Sequence, residues 1–286
     1  MARILLVDGT FELYRAHYSP RPSRVTAAGQ DVKAAAGVLA SMRWLLKEHL
    51  DEVSEIHVGI AFDNPIRSFR NDLFDAYKSD AGVPDELRAQ FDLVEEGMRA
   101  LGVTVWSMDE FEADDAIATA AAKLSGHGHE IQILSPDKDM GQCLLADDIV
   151  QVDRIRKTTW GAEGVRAKLG IEPAQIPDYL ALVGDTADGI PGLPGFGPKA
   201  AAALLGTFGS IDGIPDEPTT WPKAVRGKDR LAPIFAAART DVVLYRTLAT
   251  LRTDVPLGGS LAGLRYRGPD DAALAAFEAK VQSAPR

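Results

Sequence analysis

The acidic residues of this chain stand out by position, because they follow short apolar runs of the kind that form buried strands. Asp8 closes the run ILLV and Asp63 closes the run GIAF. The acids that follow predicted strands are Asp8, Asp63, Glu112, Asp114, Asp115, Asp137 and Asp139. The carboxyl ends of parallel strands share one edge of a sheet, so the pattern predicts seven carboxylates at a single rim.

Crowded carboxylates need a counter-charge. Two like charges ~4 Å apart repel by about 4 kcal/mol at an effective dielectric constant near 20. Oxygen ligands without neighbouring His or Cys suit Mg²⁺ or Mn²⁺, and seven acids exceed the usual need of one octahedral ion. A single Asp after a strand is commonly a helix cap or a turn former, so the metal hypothesis depends on the joint pattern. We therefore expect two divalent ions, Mg²⁺ or Mn²⁺.

The composition of the 286 residues restricts the class of protein. The net charge is -10, but the acidity is local, because residues 51–150 carry 22 Asp/Glu against 7 Lys/Arg. A single cysteine, Cys143, excludes an intramolecular disulfide and favours a reducing compartment. The apolar runs fall far short of the roughly 20 residues that a membrane span needs. These observations predict a cytoplasmic protein without a membrane partner.

Two kinds of pattern follow each other along the chain. Five predicted strands alternate with helical patterns in the first half, which is typical of an α/β fold with a parallel sheet. The predicted strands cover residues 3–7, 56–62, 103–106, 130–134 and 149–152, and the predicted helices of this half cover 35–50, 84–101 and 117–124. After residue 165 the pattern predicts short helices and no strands.

The second half contains a Gly- and Pro-rich stretch, GDTADGIPGLPGFGP at residues 184–198, which no regular element tolerates. Helical patterns flank it at 176–183 and 199–205, so we predict a helix, a hairpin and a helix. Further helices are expected to end near Leu251 and to cover residues 270–281. The predicted domains are therefore an α/β catalytic domain at 1–165 and a helical domain at 166–286.

Six motifs carry a resemblance to a known family. In order, they are LLVDG with Tyr14 and Arg15 close behind, AFD at Asp63, SFR at Arg70 with YK at Tyr77 and Lys78, EADD at Glu112, SPDKDM at Asp137, and GDTADGIPGLPGFGPK at Asp185. Together, over roughly residues 3–252, they resemble the 5′-nuclease domain of bacterial DNA polymerase I and its flap-endonuclease relatives.

The resemblance implies a fold and an activity. The implied fold is PIN-like, with a mostly parallel central sheet wrapped by helices, a helical arch at about residues 64–92, and a small all-α helix-hairpin-helix domain. The implied activity is metal-dependent hydrolysis of phosphodiester bonds at 5′ ends, flaps and primer remnants of DNA. The products would carry a 5′-phosphate and a 3′-hydroxyl, and the activity would serve DNA replication and repair.

Position by position, the resemblance also implies roles for particular residues. It gives one metal the ligands Asp8, Asp63, Glu112 and Asp114 with Asp115 close by, and the second metal the group Asp137, Asp139, Asp185 and Asp188. It places Lys78 and Arg70 beside the scissile phosphate, and Tyr14, Arg15 and Tyr77 against the DNA. The hairpin residues Gly195, Gly197 and Lys199 would grip duplex DNA, with a K⁺ ion held partly by backbone carbonyls.

One departure from the family pattern leaves alternatives open. The family commonly places a second basic residue shortly after the lysine, whereas residues 79–84 contain none, and Arg88 is the candidate replacement. The alternatives are a non-catalytic or weakly active binder of branched DNA, and a PIN-type ribonuclease.

The expected partners are 5′-ended or branched DNA and the RNA primer of an RNA–DNA hybrid. We expect a monomer, with any polymerase or ligase acting in trans.

Overall fold

The computed structural model describes residues 2–258 and 261–282, which form two compact units. The first unit contains the chain up to Ser68, the segment Ser79–Ser135 and the chain from Thr253 onward. The second contains Phe69–Lys78 and Pro136–Arg252. The division of the sequence at residue 165 into two domains stays a prediction, and its residues 1, 259, 260 and 283–286 lie outside the described part.

The chain forms six strands and thirteen α-helices within its described residues. The strands are β1 (Arg3–Asp8), β2 (Ile56–Asp63), β3 (Thr104–Met108), β4 (Glu130–Leu134), β5 (Ile149–Asp153) and β6 (Thr158–Trp160). The helices are α1 (Gly9–His17), α2 (Lys33–Glu52), α3 (Arg70–Leu73), α4 (Asp85–Arg88), α5 (Phe91–Ala100), α6 (Ala113–Leu124), α7 (Ala162–Leu169), α8 (Ile176–Val183), α9 (Pro198–Phe208), α10 (Lys228–Ala237), α11 (Arg239–Ala249), α12 (Leu261–Leu264) and α13 (Asp271–Lys280).

The first unit is built on a parallel sheet with the strand order β3-β2-β1-β4. Leu5 of β1 lies opposite Val58 of β2 on one side and Gln132 of β4 on the other. The side chains of β1 after its first residue are all buried, as expected for a strand covered by helices on both faces. The structure thus confirms the predicted α/β class and the mostly parallel sheet.

The strands of this sheet end at a common edge. β1 ends on Asp8 and β2 ends on Asp63, and the register pairs Asp8 with Ala61 and Asp63 with Met108. All five predicted strands are confirmed within one or two residues. The two acids therefore project from the edge where ligands bind in open parallel sheets.

One predicted helix is wrong in extent. The sequence pattern predicted a continuous helix over residues 84–101, but the structure contains α4 and α5 with a break at Gln90. The buried Gln90 side chain accepts the N–H groups of Ala34 and Ala35 through Oε1, at 2.9 and 3.1 Å. Within α2 these first N–H groups have no partner and Val32 provides no side-chain cap, so the Gln90 oxygen caps the helix instead. The break lets Gln90 cap the neighbouring helix α2. The local sequence around Gln90 does not reveal this contact.

The second unit combines a β-hairpin with helices. β5 and β6 pair antiparallel, with Val152 opposite Thr159, and β6 was not predicted. The buried Asp153 shapes the turn, because Oδ1 accepts the N–H groups of Ile155 and Arg156, both at 2.9 Å. Helix α8 packs against α9 and α11. The predicted helices on both sides of the Gly- and Pro-rich stretch are confirmed as α8 and α9.

Candidate active site

Asp8 stands at the junction of β1 and α1. The residue is 7% exposed, and its Oδ1 accepts the N–H of Phe11 at 2.8 Å, so the carboxylate caps α1. The second oxygen, Oδ2, accepts a hydrogen bond from Ser135 Oγ at 2.9 Å. The structural role of a helix cap and a position at the strand edge are therefore combined in one residue.

Asp63 and Glu112 lie beside each other at the start of α6. Asp63 Oδ1 accepts the N–H of Ala113 at 2.7 Å, directly after Glu112. The main-chain N–H of Asp63 donates to Thr10 Oγ1 at 2.8 Å, which connects it to the turn after Asp8. These bonds gather the ends of β1 and β2 and the start of α6 around their acids.

The buried Glu112 is oriented from two sides. Its Oε1 accepts a hydrogen bond from Ser68 Oγ at 2.7 Å, and its main-chain N–H donates to Asp115 Oδ2 at 3.0 Å. Asp115 has no exposed surface and completes the capping box of α6. Asp114 is half-buried in the first turn of the same helix, where the helix dipole favours negative charge. All five acids predicted for the first metal lie in the first unit.

The second unit brings together Asp139, Asp185 and Asp188. One carboxylate oxygen from each lies within 4.8 Å of the other two. As whole residues, Asp139 is 4% exposed and Asp185 is 7% exposed, whereas Asp188 is half-buried. Asp137 is next to this cluster and caps the 3₁₀ helix Lys138–Cys143, because its Oδ1 accepts the N–H of Asp139 at 2.9 Å.

The environment of Asp139 fits a divalent cation. Burial and the charges of Asp137 and Asp188 hold the pKa of the Asp139 carboxyl well above its usual range. Its Oδ1 is buried, and within the described part of the chain no group donates a hydrogen bond to it. A hard ion would supply the missing partner, and three carboxylate donors at this spacing form a ligand set of the type that Mg²⁺ and Mn²⁺ accept.

A tight turn presents Asp185 and Asp188. The main chains of Asp185 and Ile190 exchange two hydrogen bonds of 2.8 Å, and Asp185 Oδ1 accepts the N–H of Ala187 at 3.0 Å. Gly189 closes the turn with φ +75°, and a Cβ there would lie 2.2 Å from the carbonyl oxygen of Ala76. This position therefore requires glycine for its backbone conformation and for the close approach of the segment that carries Lys78.

Lys78 lies against the acid cluster. Its Nζ is 3.0 Å from Asp188 Oδ1, and its main-chain N–H donates to the carbonyl of Asp188 at 3.0 Å. Nζ is also 5.7 Å from the centre of the Tyr77 ring. The predicted functional lysine is thus beside a predicted metal-ligand residue.

Lys138 is a residue of the cluster that sequence reasoning missed. Its Nζ donates a hydrogen bond to Asp185 Oδ2 and lies 3.9 Å from Asp139 Oδ1. Burial lowers the pKa of the Lys138 ammonium, but the hydrogen bond to Asp185 and the charges of Asp139, Asp185 and Asp137 outweigh it, so the pKa is raised overall. The motif SPDKDM carried the signal, because a lysine between two acids shares their turn.

Arg70 and Tyr77 are in the interior. Arg70 is 1% exposed and donates from Nε to the carbonyl of Leu248 at 2.8 Å and from Nη2 to that of Thr250 at 2.9 Å. Its guanidinium also lies 4.7 Å from the centre of the Phe69 ring. Tyr77 is 4% exposed. These contacts fasten the Phe69–Lys78 segment to the end of α11.

Tyr14 and Arg15 lie on α1 and differ in their surroundings. The half-buried Tyr14 ring is 6.3 Å from the ring of Tyr18, which is 66% exposed. Burial, the neighbouring Tyr18 and the negative charge of Asp63 raise the pKa of the Tyr14 hydroxyl. Arg15 pairs with the buried Glu12 and donates to Ser41 Oγ at 3.0 Å.

The Gly- and Pro-rich hairpin forms one wall of a cavity of about 780 Å³. Lys199, Lys223 and Arg226 are among the residues that line it. The predicted contact residues Gly195 and Gly197 line it as well, and Gly197 begins α9 as its N-cap.

Three aromatic rings pack together and anchor this hairpin. The sequence did not predict this packing. The buried Phe196 ring lies 6.2 Å from the ring of Trp221 and 6.3 Å from that of Phe235. The rings of Trp221 and Phe235 are in turn 6.2 Å apart. Phe196 therefore fixes the hairpin between the two glycines that line the cavity.

Arg88, the candidate for the missing second basic residue, forms an ion pair in the first unit. Its Nη1 lies 2.5 Å from Asp80 Oδ2, and both side chains are about half exposed. A second bond joins its Nη2 to the carbonyl of Asp80 at 3.2 Å. Substitution of Arg88 for the family's second basic residue stays a prediction.

The parallel sheet with acids at its edge and the helical region with its hairpin define a class of α/β protein with a second, helical module. Residues 3–170 match the family described as 5′-3′ exonuclease, N-terminal resolvase-like domain, and residues 171–272 match 5′-3′ exonuclease, C-terminal SAM fold. The chain therefore belongs to the 5′-3′ exonuclease family. The predicted family is confirmed.

Two relatives illustrate the extent of the likeness. DNA polymerase I of Rhizobium leguminosarum is 35% identical over 250 residues, which are 85% of this chain and 24% of that protein. The 5′-3′ exonuclease of Aquifex aeolicus is 33% identical over 215 residues, which are 75% of this chain and 72% of that protein. The chain thus spans about a quarter of the polymerase relative.

Solved structures share the fold. A structure described as divalent metal ions (zinc) bound to T5 5′-exonuclease has a TM-score of 0.67 at 18% identity and covers 98% of both chains. The catalytic core of Rad2 in complex with DNA substrate has a TM-score of 0.63 at 15% identity, covering 99% of this chain and 88% of the other.

Among the helices described here, none is long and apolar enough to cross a bilayer.

Proposed function

We propose that this chain is a structure-specific 5′-nuclease. It hydrolyses phosphodiester bonds at 5′ ends, flaps and primer remnants of DNA, leaving a 5′-phosphate and a 3′-hydroxyl, and it acts in DNA replication and repair. The observation that carries the proposal is the cluster of Asp139, Asp185 and Asp188, whose oxygens lie within 4.8 Å of one another, with Lys78 3.0 Å from Asp188. Membership in the 5′-3′ exonuclease family supports it.

Two groups of acids are proposed to hold two divalent ions, Mg²⁺ or Mn²⁺. The first group is Asp8, Asp63, Glu112 and Asp114, with Asp115 orienting Glu112, and the second is Asp137, Asp139, Asp185 and Asp188. When bound, a pair of such ions supplies an activated water and stabilises charge on the attacking and leaving oxygens. The likeness to a T5 exonuclease structure with bound divalent metal ions supports this assignment.

The chain's own contribution near the bond to be cleaved is positive charge and positioning. We assign Lys78 to the phosphate, because its ammonium is partly exposed beside the second ligand group. A fixed cation at this place stabilises charge that develops on the phosphate oxygens. For Arg70, the bonds to the carbonyls of Leu248 and Thr250 favour positioning of the Lys78 segment. Direct contact of Arg70 with a phosphate remains a prediction.

DNA is proposed to bind at the hairpin cavity of the second unit. Lys199 at the start of α9, with Lys223 and Arg226 on the same cavity, provides three cations for phosphates, and the N-terminal end of the α9 dipole favours negative charge. Gly195 and Gly197 allow close approach of the backbone, and a K⁺ ion at this hairpin is part of the proposal. Tyr14 is proposed to stack on a base, since it is half-buried beside the exposed Tyr18 ring.

The remaining roles on the DNA and in the cell are proposals of the same kind. Arg15 is assigned to the DNA near Tyr14, and Tyr77 to the support of Lys78, whose ammonium lies 5.7 Å from its ring. The helical arch at about residues 64–92 and the division into a catalytic domain (1–165) and a DNA-binding domain (166–286) complete the proposal. We further propose a cytoplasmic monomer that also acts on the RNA primer of an RNA–DNA hybrid, with polymerase or ligase in trans.

A weakly active binder of branched DNA is the second candidate function. Residues 79–84 carry no basic side chain, and Arg88, the nearest candidate, is engaged by Asp80. An arch with fewer cations holds a 5′ strand less firmly, which would lower turnover more than binding. Cleavage and binding of one 5′-flap DNA, measured side by side, separate the two functions.

The test uses a 5′-flap DNA labelled at its 5′ end. Wild-type protein with Mg²⁺ or Mn²⁺ is expected to release short labelled products with multiple turnovers, and EDTA should abolish release. A single-stranded DNA of the same sequence, which lacks the flap junction, reports the preference for structure. Binding of the flap without cleavage, at any metal concentration, would favour the second candidate and contradict the first.

A further inference from the structure

Lys138 lies inside the second carboxylate cluster, yet the proposed ligand set gives it no task. Its ammonium donates a hydrogen bond to Asp185 and lies 3.9 Å from Asp139 Oδ1. Both acids belong to the trio whose oxygens lie within 4.8 Å of one another. The lysine therefore contacts two of the three acids that are proposed to hold an ion.

An ammonium group and a divalent ion seek the same oxygens. A carboxylate that already has a cation at contact distance gains less from a second one, because part of its negative charge is compensated. Asp139 Oδ1 is buried and lacks a hydrogen-bond donor among the described residues. The Lys138 ammonium, 3.9 Å away, therefore compensates the negative charge of this oxygen, as a bound ion would also do. Occupancy by one cation thus opposes occupancy by the other.

The exposure of the partners shows which of them can move. The Lys138 side chain is 48% exposed, whereas the side chains of Asp139 and Asp185 are each 6% exposed. Asp185 is further held by the N–H of Ala187. The ammonium can therefore turn toward solvent while both carboxylates stay in place to receive an ion.

We propose that Lys138 is a built-in counter-ion that competes with the divalent ion for Asp139 and Asp185 and thereby sets the ion affinity of this cluster. The inference rests on the proposed metal-dependent function and assigns a further residue to it. Lys78 has a different position, because it pairs with Asp188 and its main-chain N–H is bonded to the carbonyl of that residue. Lys138 is thus the cation that contacts the two most buried acids of the trio.

Two consequences follow for a protein that lacks this charge. Without an ion, the acids repel one another more strongly, so the fold is less stable. With an ion, no ammonium has to be displaced, so the ion binds more tightly. A lysine that merely packs against the cluster would produce the first effect without the second.

The first measurement is Mn²⁺ binding, followed by the loss of the free-ion signal in electron paramagnetic resonance, without DNA. Lys138→Met keeps the length of the side chain and removes its charge, and Lys138→Arg keeps the charge. We expect Lys138→Met to bind the Mn²⁺ ion of this cluster about 5- to 150-fold more tightly than wild type, the usual range for coupling between two sites. Lys138→Arg should remain within about 3-fold of wild type.

A matched control tests whether any lost charge has this effect. Lys168 lies on α7 in the same unit, is exposed, and its Nζ is 3.4 Å from the centre of the Trp160 ring. Lys168→Met is expected to leave Mn²⁺ affinity unchanged. Equal tightening in Lys168→Met and Lys138→Met would overturn the proposal, as would unchanged or weaker binding by Lys138→Met.

Thermal unfolding provides an independent measurement. In EDTA, Lys138→Met should unfold at a lower temperature than wild type, and saturating Mn²⁺ should raise its unfolding temperature by more than it raises that of wild type. Equal shifts in both proteins would contradict competition. Lys138→Gln, a shorter neutral variant, repeats the test should the methionine variant fold poorly.

The outcome separates this inference from the proposed function. Tight Mn²⁺ binding and flap cleavage by wild type, with no change of ion affinity in Lys138→Met, would overturn the role of Lys138 and leave the nuclease proposal intact. A wild-type protein that takes up no Mn²⁺ and cleaves no flap would overturn both.

Discussion

Lys78 meets Asp188 through both its side chain and its main chain. Nζ lies 3.0 Å from Asp188 Oδ1, and the N–H of Lys78 donates to the carbonyl of Asp188 at 3.0 Å. The main-chain bond fixes the base of a long side chain relative to the acid turn, so the ammonium needs little ordering to stay beside Asp188. Pre-positioned charge of this kind is what electrostatic catalysis requires.

Loss of the Lys78 ammonium should slow the chemical step. In Lys78→Ala the acids are kept but the fixed positive charge is lost, and we expect the single-turnover rate on a 5′-flap DNA to fall by about 10² to 10³. Lys78→Arg, which keeps the charge, should retain more of the rate. A single-turnover rate within 3-fold of wild type in Lys78→Ala would remove this residue from the site.

Neutralising Asp185 should separate cleavage from binding. Asp185→Asn keeps an oxygen for the N–H of Ala187, so the turn is preserved, but the variant loses the negative charge of one proposed ligand. We expect flap cleavage to fall below detection, while the affinity for flap DNA, measured by fluorescence anisotropy in Ca²⁺, changes by less than about 5-fold.

A control for the Asp185 variant is available in the same unit. Asp216 is 59% exposed and pairs with Arg239 at 2.7 Å, so Asp216→Asn removes a similar charge at the surface. It should cleave as wild type does. Substantial turnover by Asp185→Asn under conditions where the control is fully active would argue against Asp185 as a ligand.

Asp139 makes stability depend on pH in the presence of a chelator. Burial and the charges of Asp137 and Asp188 raise the pKa of the Asp139 carboxyl in the folded protein above its ordinary value of 3.8. An acid with a raised pKa in the fold contributes stability that is present below the ordinary pKa and is lost as pH rises through the raised one.

Asp139→Asn is uncharged at every pH, so it isolates this contribution. In EDTA, it should unfold at about the same temperature as wild type near pH 4 and at a higher temperature at pH 8. A difference of about 1 kcal/mol corresponds to ~2–4 °C in a chain of this size. An unfolding-temperature difference that is constant between pH 4 and pH 8 would contradict the raised pKa.

Lys199 is expected to act through binding alone. In Lys199→Ala, the affinity for duplex DNA should fall for all sequences alike, and the slope of log affinity against log salt should decrease in magnitude by about 1. The rate at saturating flap DNA should stay close to wild type. A change in that rate with an unchanged salt slope would place Lys199 in the chemistry and not on the DNA surface.

The sheet and its acids could be predicted because both depend on local sequence. β1 and β2 are mostly apolar and each ends in an acid, so strand, boundary and terminal carboxylate are contained within at most eight residues. The same local logic found the helices on both sides of the Gly- and Pro-rich hairpin. It also singled out Asp139 and Asp185, which the structure brings together across 46 positions of sequence.

The features that were missed depend on distant contacts. The buried Arg70 bonds to carbonyls 178 and 180 positions away, which no motif indicates. The break at Gln90 serves the start of α2, 55 and 56 positions away. Lys138 was visible in its motif, but whether a lysine beside two acids turns toward them or toward solvent is decided by the 3₁₀ helix that carries it.

The central claim is that buried carboxylates of this fold hold hard divalent ions. The most direct measurement is anomalous diffraction from crystals soaked in Mn²⁺, collected at the manganese absorption edge. We predict a peak at bonding distance, ~2.0–2.3 Å, from oxygens of Asp139, Asp185 and Asp188, and a second peak at the acids of the first unit. Maps without a peak at either group, from crystals with millimolar Mn²⁺ and ordered side chains, would contradict the account.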